Sequence, residues 1–331
     1  MEWEPDVSAG EWLRERIDQP WRGTMHDLVP RGFAAYARIF HPATRDRPVG
    51  TAWPTAAYSD HRAWERFHDA HPDLQTVTER VSWATTAAAL GTVFHPEAQW
   101  SALTRVDARA DRVDDPRDAD GWRYADPEMG GMPADLVSAL AEVLAAATTT
   151  PTEGGVALWE GRAALVGHLG HGPSRVFFQM GDGADPDLAR HNAMLGTAAR
   201  DVLNRVFRKP TWQEGILSRD ISEGPRLALP ERNHVLFRGG VAELVDPAWE
   251  LRMPWRDRPS EAQGFPPSAQ SPSLVWPADR AWVWVSEVDW DSTVVGGSAE
   301  LIRAVCADPR LEALPLGPDA DLSWDGDGVN R

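Results

Sequence analysis

Cysteine is almost absent from the 331-residue chain, where Cys306 stands alone. An intramolecular disulfide and a cysteine-rich zinc site are thereby excluded. No apolar run approaches the ~18 residues of a membrane span, and the mean hydropathy is −0.41. The N-terminal Met1-Glu2-Trp3-Glu4-Pro5-Asp6 has neither the basic stretch nor the apolar core of a secretory signal. A cytoplasmic protein without membrane association is the expectation. Lysine is as scarce as cysteine: Lys209 is the only one, and the other basic residues are arginine. Clusters of basic residues that release counterions from phosphate are lacking, so nucleic acid is not an expected partner. Neither Gly-x-x-x-x-Gly-Lys nor Gly-x-Gly-x-x-Gly occurs, and no Gly-x-Ser-x-Gly elbow presents a nucleophile. No cofactor is implied.

Acid and tryptophan are in excess. Fifty Asp and Glu face 33 Lys and Arg, for a net charge of −17. The acid is spread along the chain, 24 against 15 up to residue 150 and 26 against 18 beyond it. It is therefore a property of the whole surface, suited to solubility or to a basic protein partner. Seventeen Trp against 3 Tyr and 9 Phe read as core anchors or, alternatively, as stacking surfaces for a ligand.

Helices are expected at 9–18, from Asp60 to His71 behind a Ser59 cap, at 82–90 and at 97–104. A strand is expected over Phe33–Phe40, and an exposed loop from Arg105 to Asp126. Pro133 should open a helix to Ala147, since Leu136, Val137, Leu140, Val143 and Leu144 form one stripe. Thr148 to Gly155 is the best linker. Beyond it, Val156–Glu160, Ala163–Val166 and Arg175–Met180 read as strands separated by glycine turns, followed by a long helix from Asp185 to Lys209. His234–Phe237 and Ala281–Val288 read as strands, residues 257–273 as an irregular loop, and Gly296-Gly297-Ser298 as the opening of a helix through Ala307. Strands and helices do not alternate regularly. The expected class is α+β, a mixed or antiparallel sheet with flanking helices in two subdomains. These are a mainly helical 1–150 and an α+β 155–317, followed by a flexible acidic tail, 318–331.

The chemistry-bearing candidates are few. His61, Glu65 and His68 stand at i, i+4 and i+7, so they share a helix face that is either a metal site or a plain polar surface. His41 and His95 each follow a Phe and precede a Pro, and would meet in one cleft if their segments are neighbours. Glu287 and Asp289 fall on one face of the 281–288 strand, about 7 Å apart by the strand rise. They are placed to bind a metal, to share a proton, or to pair with Arg280 or another arginine. Ser298 behind two glycines offers either a helix cap or an anion seat.

The segment Ser271-Pro272, Trp276-Pro277, Asp279-Arg280, Trp282, Glu287-Val288-Asp289, Asp291-Ser292-Thr293, Gly296-Gly297-Ser298 resembles the C-terminal signature of a family of uncharacterised actinobacterial proteins. Pro30-Arg31-Gly32-Phe33, Arg38, His41-Pro42 and His95-Pro96-Glu97 are similar to its N-terminal part. The resemblance implies a bacterial cytoplasmic origin and no activity. Two functional classes follow from the residues themselves. One is a non-catalytic acidic binding module for a basic protein, as toxin-immunity proteins are. The other is a metal-dependent hydrolase built on His41, His95, Glu287 and Asp289, which requires those side chains to converge.

Overall fold

The computed structural model describes residues 1–19, 21–56, 60–106, 115–162, 164–171, 175 and 209–330. The fold is α+β, with antiparallel sheets and flanking helices. Its strands are β1 (Glu2–Trp3), β2 (Ala35–Phe40), β3 (Ala43–Pro48), β4 (Thr76–Val81), β5 (Arg123–Ala125), β6 (Gly154–Trp159) and β7 (His168–Gly170). They continue as β8 (Thr211–Gln213), β9 (Leu227–Leu229), β10 (Arg232–Arg238), β11 (Leu274–Pro277), β12 (Val283–Val285), β13 (Ser292–Gly297) and β14 (Ala313–Leu316).

The main sheet runs β1-β10-β6-β11-β12-β13-β2-β14, with β9 added to β10. Every pairing in it is antiparallel. Both faces are covered, and strand alternation sorts the residues between them. Ala37, Ile39, Val156, Leu158, Trp282, Trp284 and Val295 pack on one side with the helices Ala134–Ala145 and Ala299–Ala307. Tyr36, Ala157, Val283, Val285 and Val294 face Trp12, Leu13 and Met25 on the other. The tryptophans serve mainly as core anchors, and several of their indole N–H groups find acceptors, although that of Trp12 does not. Trp282 Nε1 donates to Leu144 O at 3.0 Å and Trp255 Nε1 to Gln270 O at 2.9 Å.

β2 leaves this sheet through His41-Pro42 and becomes β3 of a second sheet, β4-β3-β5. Phe40, Trp83, Ala98, Trp100 and Tyr124 form its core with the helices Trp83–Leu90 and Trp100–Thr104. The boundary expected at residue 150 therefore does not divide the main sheet, because β1 and β2 lie within it. Ordering of Thr148–Gly155 has a local cause. Asp279 accepts from Thr148 Oγ1 and from the N–H and Oγ1 of Thr149, each at 2.8 Å. Gly154 then starts β6, and a Cβ there would lie 2.1 Å from Trp276 O. The expected linker is a pinned turn.

Several other expectations need correction. The helix of residues 61–70 is capped by Asp60, whose side chain accepts from Ala63 N; Ser59 lies outside the described residues. Pro133 is the N-cap of its helix and not its first residue. The 9–18 region holds only short helical turns, Val7–Gly10 and Glu11–Arg14. Residues 164–166 form no strand, whereas the loop expected from Gly167 to Gly172 contains β7, paired with β8. The strand expected over 281–288 is three residues long, and the chain turns from Ser286. The 105–126 loop contains β5, and the 257–273 loop contains the short helix Arg258–Glu261. The strand expected at 175–180 and the helix at 185–209, with His191, fall almost wholly outside the described residues.

The segment after residue 318 is packed, which corrects the expected flexible tail. Met25 N donates to Ala320 O at 2.8 Å, and Leu322 and Asp327 are buried. Asp327 is its main fixing point. Its carboxylate accepts from Val329 N and Asn330 N at 2.9 Å and from Gln99 N at 3.2 Å. Asn330 in turn bonds both backbone groups of Val93.

Candidate functional site

The sequence-selected residues are distributed over separate parts of the molecule. His41 is fully buried, with Nδ1 2.8 Å from Glu128 O and Nε2 2.9 Å from Thr293 Oγ1. Burial pulls it down from 6.5 to about 4, against the Glu128 hydrogen bond, so it is neutral. Thr293 Oγ1 lies 2.6 Å from Ser286 Oγ, which accepts from Trp284 Nε1 at 2.7 Å. The side chains of His41, Thr293, Ser286 and Trp284 are all buried. His95 instead meets Asp327, Nε2 to Oδ1 2.9 Å. Burial raises the Asp327 carboxyl, but the hydrogen bonds from Asn330, Val329 and Gln99 outweigh that and hold it at about 2.

Glu287 and Asp289 share Arg232, whose Nε lies 3.1 Å from Glu287 and Nη2 2.6 Å from Asp289. Burial raises the Glu287 carboxyl, and Arg232 opposes that rise. Arg280 sits at a turn with φ 53° and places its guanidinium 5.2 Å from the Trp12 ring centroid. Ser298 caps the helix Ala299–Ala307 through Leu301 N. The anion seat considered for it is lost, since Gly296 and Gly297 belong to β13 and pair with Tyr36 and Ala35. His61, Glu65 and His68 line an open surface depression with Trp64 and Asp69. Among the described residues, no three His, Cys, Asp or Glu side chains are placed to hold a metal ion. His41, His95, Glu287 and Asp289 do not form one cluster.

A different site is assembled from four segments: the 286–291 turn between β12 and β13, residues 126–129, the helix Trp100–Thr104, and the C-terminal segment at 322–324. Together they enclose a cavity of about 410 Å³. Its apolar walls include Trp100, Met129, Trp290 and Trp324. Two of these stand out from the surface, Met129 at 54% and Trp324 at 64% exposure. Backbone bonds fix the walls: Gly130 N donates to Trp290 O at 2.7 Å and His41 N to Asp291 O at 3.0 Å.

The charges of the cavity are Asp126, Asp289 and Asp291 against Arg38. Arg38 is buried on β2, and four of its five N–H donors are engaged. It donates to Ser292 Oγ at 2.8 Å, Ala98 O at 2.7 Å, Pro96 O at 3.2 Å and Asp291 Oδ1 at 3.1 Å. Its guanidinium also lies 4.6 Å from the Phe40 ring centroid. Burial lowers its pKa, opposed by Asp291. The Asp291 carboxyl is raised by burial, opposed by Arg38, and raised further by Asp126. Asp126 itself is exposed and accepts Trp100 Nε1 at 2.9 Å. Among the described residues no arginine or lysine pairs with it.

Arg38 was visible in the sequence only through the family resemblance, and Asp126, Met129 and Trp324 were not selected at all. A tryptophan within an acidic, glycine-rich C-terminus was the one available signal for Trp324. Comparison with protein-family models, with curated proteins and with solved structures finds no match to this chain.

Proposed function

We propose that the protein is a non-catalytic binding module for a basic protein, docking over the Trp290–Trp324 cavity. The observation that carries the reading is the composition of that cavity: exposed Trp324 and Met129 beside three carboxylates, of which Asp291 pairs with Arg38 and Asp289 with Arg232, while Asp126 has no arginine among the described residues. Aromatic and methionine side chains supply contact area that gains most when water is excluded. Carboxylates around them select a cationic partner and speed its encounter, as does a net charge of −17. An immunity-like neutralising role would use such a surface. The hydrolase reading has no comparable support, since its four residues are engaged separately.

The test is a titration with short arginine- and lysine-rich peptides, and acidic peptides of matched length, from about 20 to about 300 mM salt. Basic peptides should bind with an affinity that falls steeply with salt and at least tenfold on Trp324→Ala. Equal binding of acidic peptides, or binding indifferent to both salt and Trp324, would overturn the reading.

A further inference from the structure

We propose that the Trp290–Trp324 cavity holds the guanidinium of one arginine side chain of the partner, stacked on Trp324 and facing Asp126. This rests on the binding-module reading and names the group the site selects. The argument starts from how the chain treats its other tryptophans. Trp12, Trp53, Trp64, Trp122, Trp159 and Trp212 each carry an arginine guanidinium 4.2 to 5.4 Å from the ring centroid. A flat, weakly hydrated guanidinium covers an indole face while its edge still donates hydrogen bonds. Among the described residues no guanidinium lies over Trp290 or Trp324. Trp324 is nonetheless the most exposed of the described tryptophans, at 64% against 51% for Trp21.

The charges point the same way. Asp126 and Asp291 are close enough to repel, and that repulsion adds to the burial that raises Asp291. Asp291 is the one carboxylate to which Arg38 donates, and its Nε and Nη1 donors are committed to Ser292, Pro96 and Ala98. A second cation beside Asp126 would relieve the repulsion. A cavity of about 410 Å³ has room for an arginine side chain and the start of its backbone. Gln99 Nε2, buried without a hydrogen-bond partner, belongs to a residue of the same lining. A carbonyl of the incoming chain would supply the acceptor it lacks.

The probes are N-acetyl-arginine amide, its uncharged citrulline counterpart of the same shape, and its lysine counterpart. The protein is labelled with 5-fluorotryptophan, and the Trp324 fluorine resonance is assigned with Trp324→Phe. The arginine probe should shift that resonance saturably, and the citrulline and lysine probes should bind about tenfold more weakly or worse. Asp126→Asn, which keeps an oxygen for Trp100 Nε1, should weaken the arginine probe by a similar factor. Equal binding of citrulline or lysine would overturn the inference, as would an arginine titration unmoved by Asp126→Asn or one that leaves the Trp324 resonance unshifted. Failure of this probe while basic peptides still bind in a salt-dependent way removes the arginine anchor and leaves the wider reading in place.

Discussion

Thr293 donates its hydroxyl hydrogen to Nε2 of His41, across 2.9 Å inside the core. The direction follows from the opposite side of the ring. Glu128 O can only accept, so Nδ1 of the neutral imidazole carries the hydrogen and Nε2 must accept. Thr293 Oγ1 then accepts from Ser286, which accepts from Trp284 Nε1. One unidirectional line thus joins β12, β13, the end of β2 and the 126–130 segment behind the cavity. It has a hydroxyl beside an imidazole, as a nucleophile and its base would, but the side chains of His41, Thr293, Ser286 and Trp284 are all buried. Its work is positional.

Thr293→Val should therefore destabilise the protein. The valine keeps the shape but leaves His41 Nε2 and the Ser286 hydroxyl hydrogen without partners. A loss of about 2 to 4 kcal/mol is expected for two orphaned buried groups. Urea unfolding at pH 7 measures it, and a change under about 0.5 kcal/mol would show that the line contributes little.

Acid should weaken the fold through two histidines. His41 and His234 are both pulled by burial from 6.5 to about 4. Because the folded values are depressed, the unfolded chain takes up protons first. Their contribution is complete above about pH 6.5 and is lost as pH falls toward 4, by about 3 kcal/mol each. Glu287, Asp291 and Glu312 are raised by burial, so protonation at low pH offsets part of that loss. Histidine carbon shifts followed against pH, with urea midpoints alongside, check this. Titration of His41 near 6.5 would contradict its buried, neutral state.

Asp327→Ala should release the end of the chain without unfolding the sheet. The carboxylate holds His95, Gln99 N, Val329 N and Asn330 N together. Hydrogen exchange at residues 321–330 should rise by an order of magnitude or more, while β12 and β13 stay protected. Unchanged exchange would mean that Leu322 and the Asn330–Val93 bonds suffice. The same release should weaken peptide binding, since it frees the wall bearing Trp324.

Local signals carried much of the fold in the sequence. Ser298 caps its helix as its position suggested, and the helix expected over 82–90 forms behind a Ser82 cap, with Gly91 closing it at φ 66°. β3 and β4 were missed because Ala-Thr-Arg-Asp-Arg-Pro and Thr-Val-Thr-Glu-Arg-Val have too few buried positions to show an alternation. Their pairing relies on cross-strand partners such as Arg45 and Glu79, 2.6 Å apart. Glu287 and Asp289 do share a partner, but in the turn after β12 and not on a strand face, and that partner, Arg232, lies 55 residues from Glu287 in the chain. The cavity was illegible for the same reason. Its walls come from residues near 100, 127, 290 and 323, and only the closed fold brings them together.

The most direct test of the account is where a basic peptide protects the protein from hydrogen exchange. An arginine-rich peptide at saturating concentration should slow exchange at residues 126–130, 289–291 and 321–327, and Trp324→Ala should abolish that protection. Protection confined to other surfaces, such as the helix bearing His61, Glu65 and His68, would contradict the account.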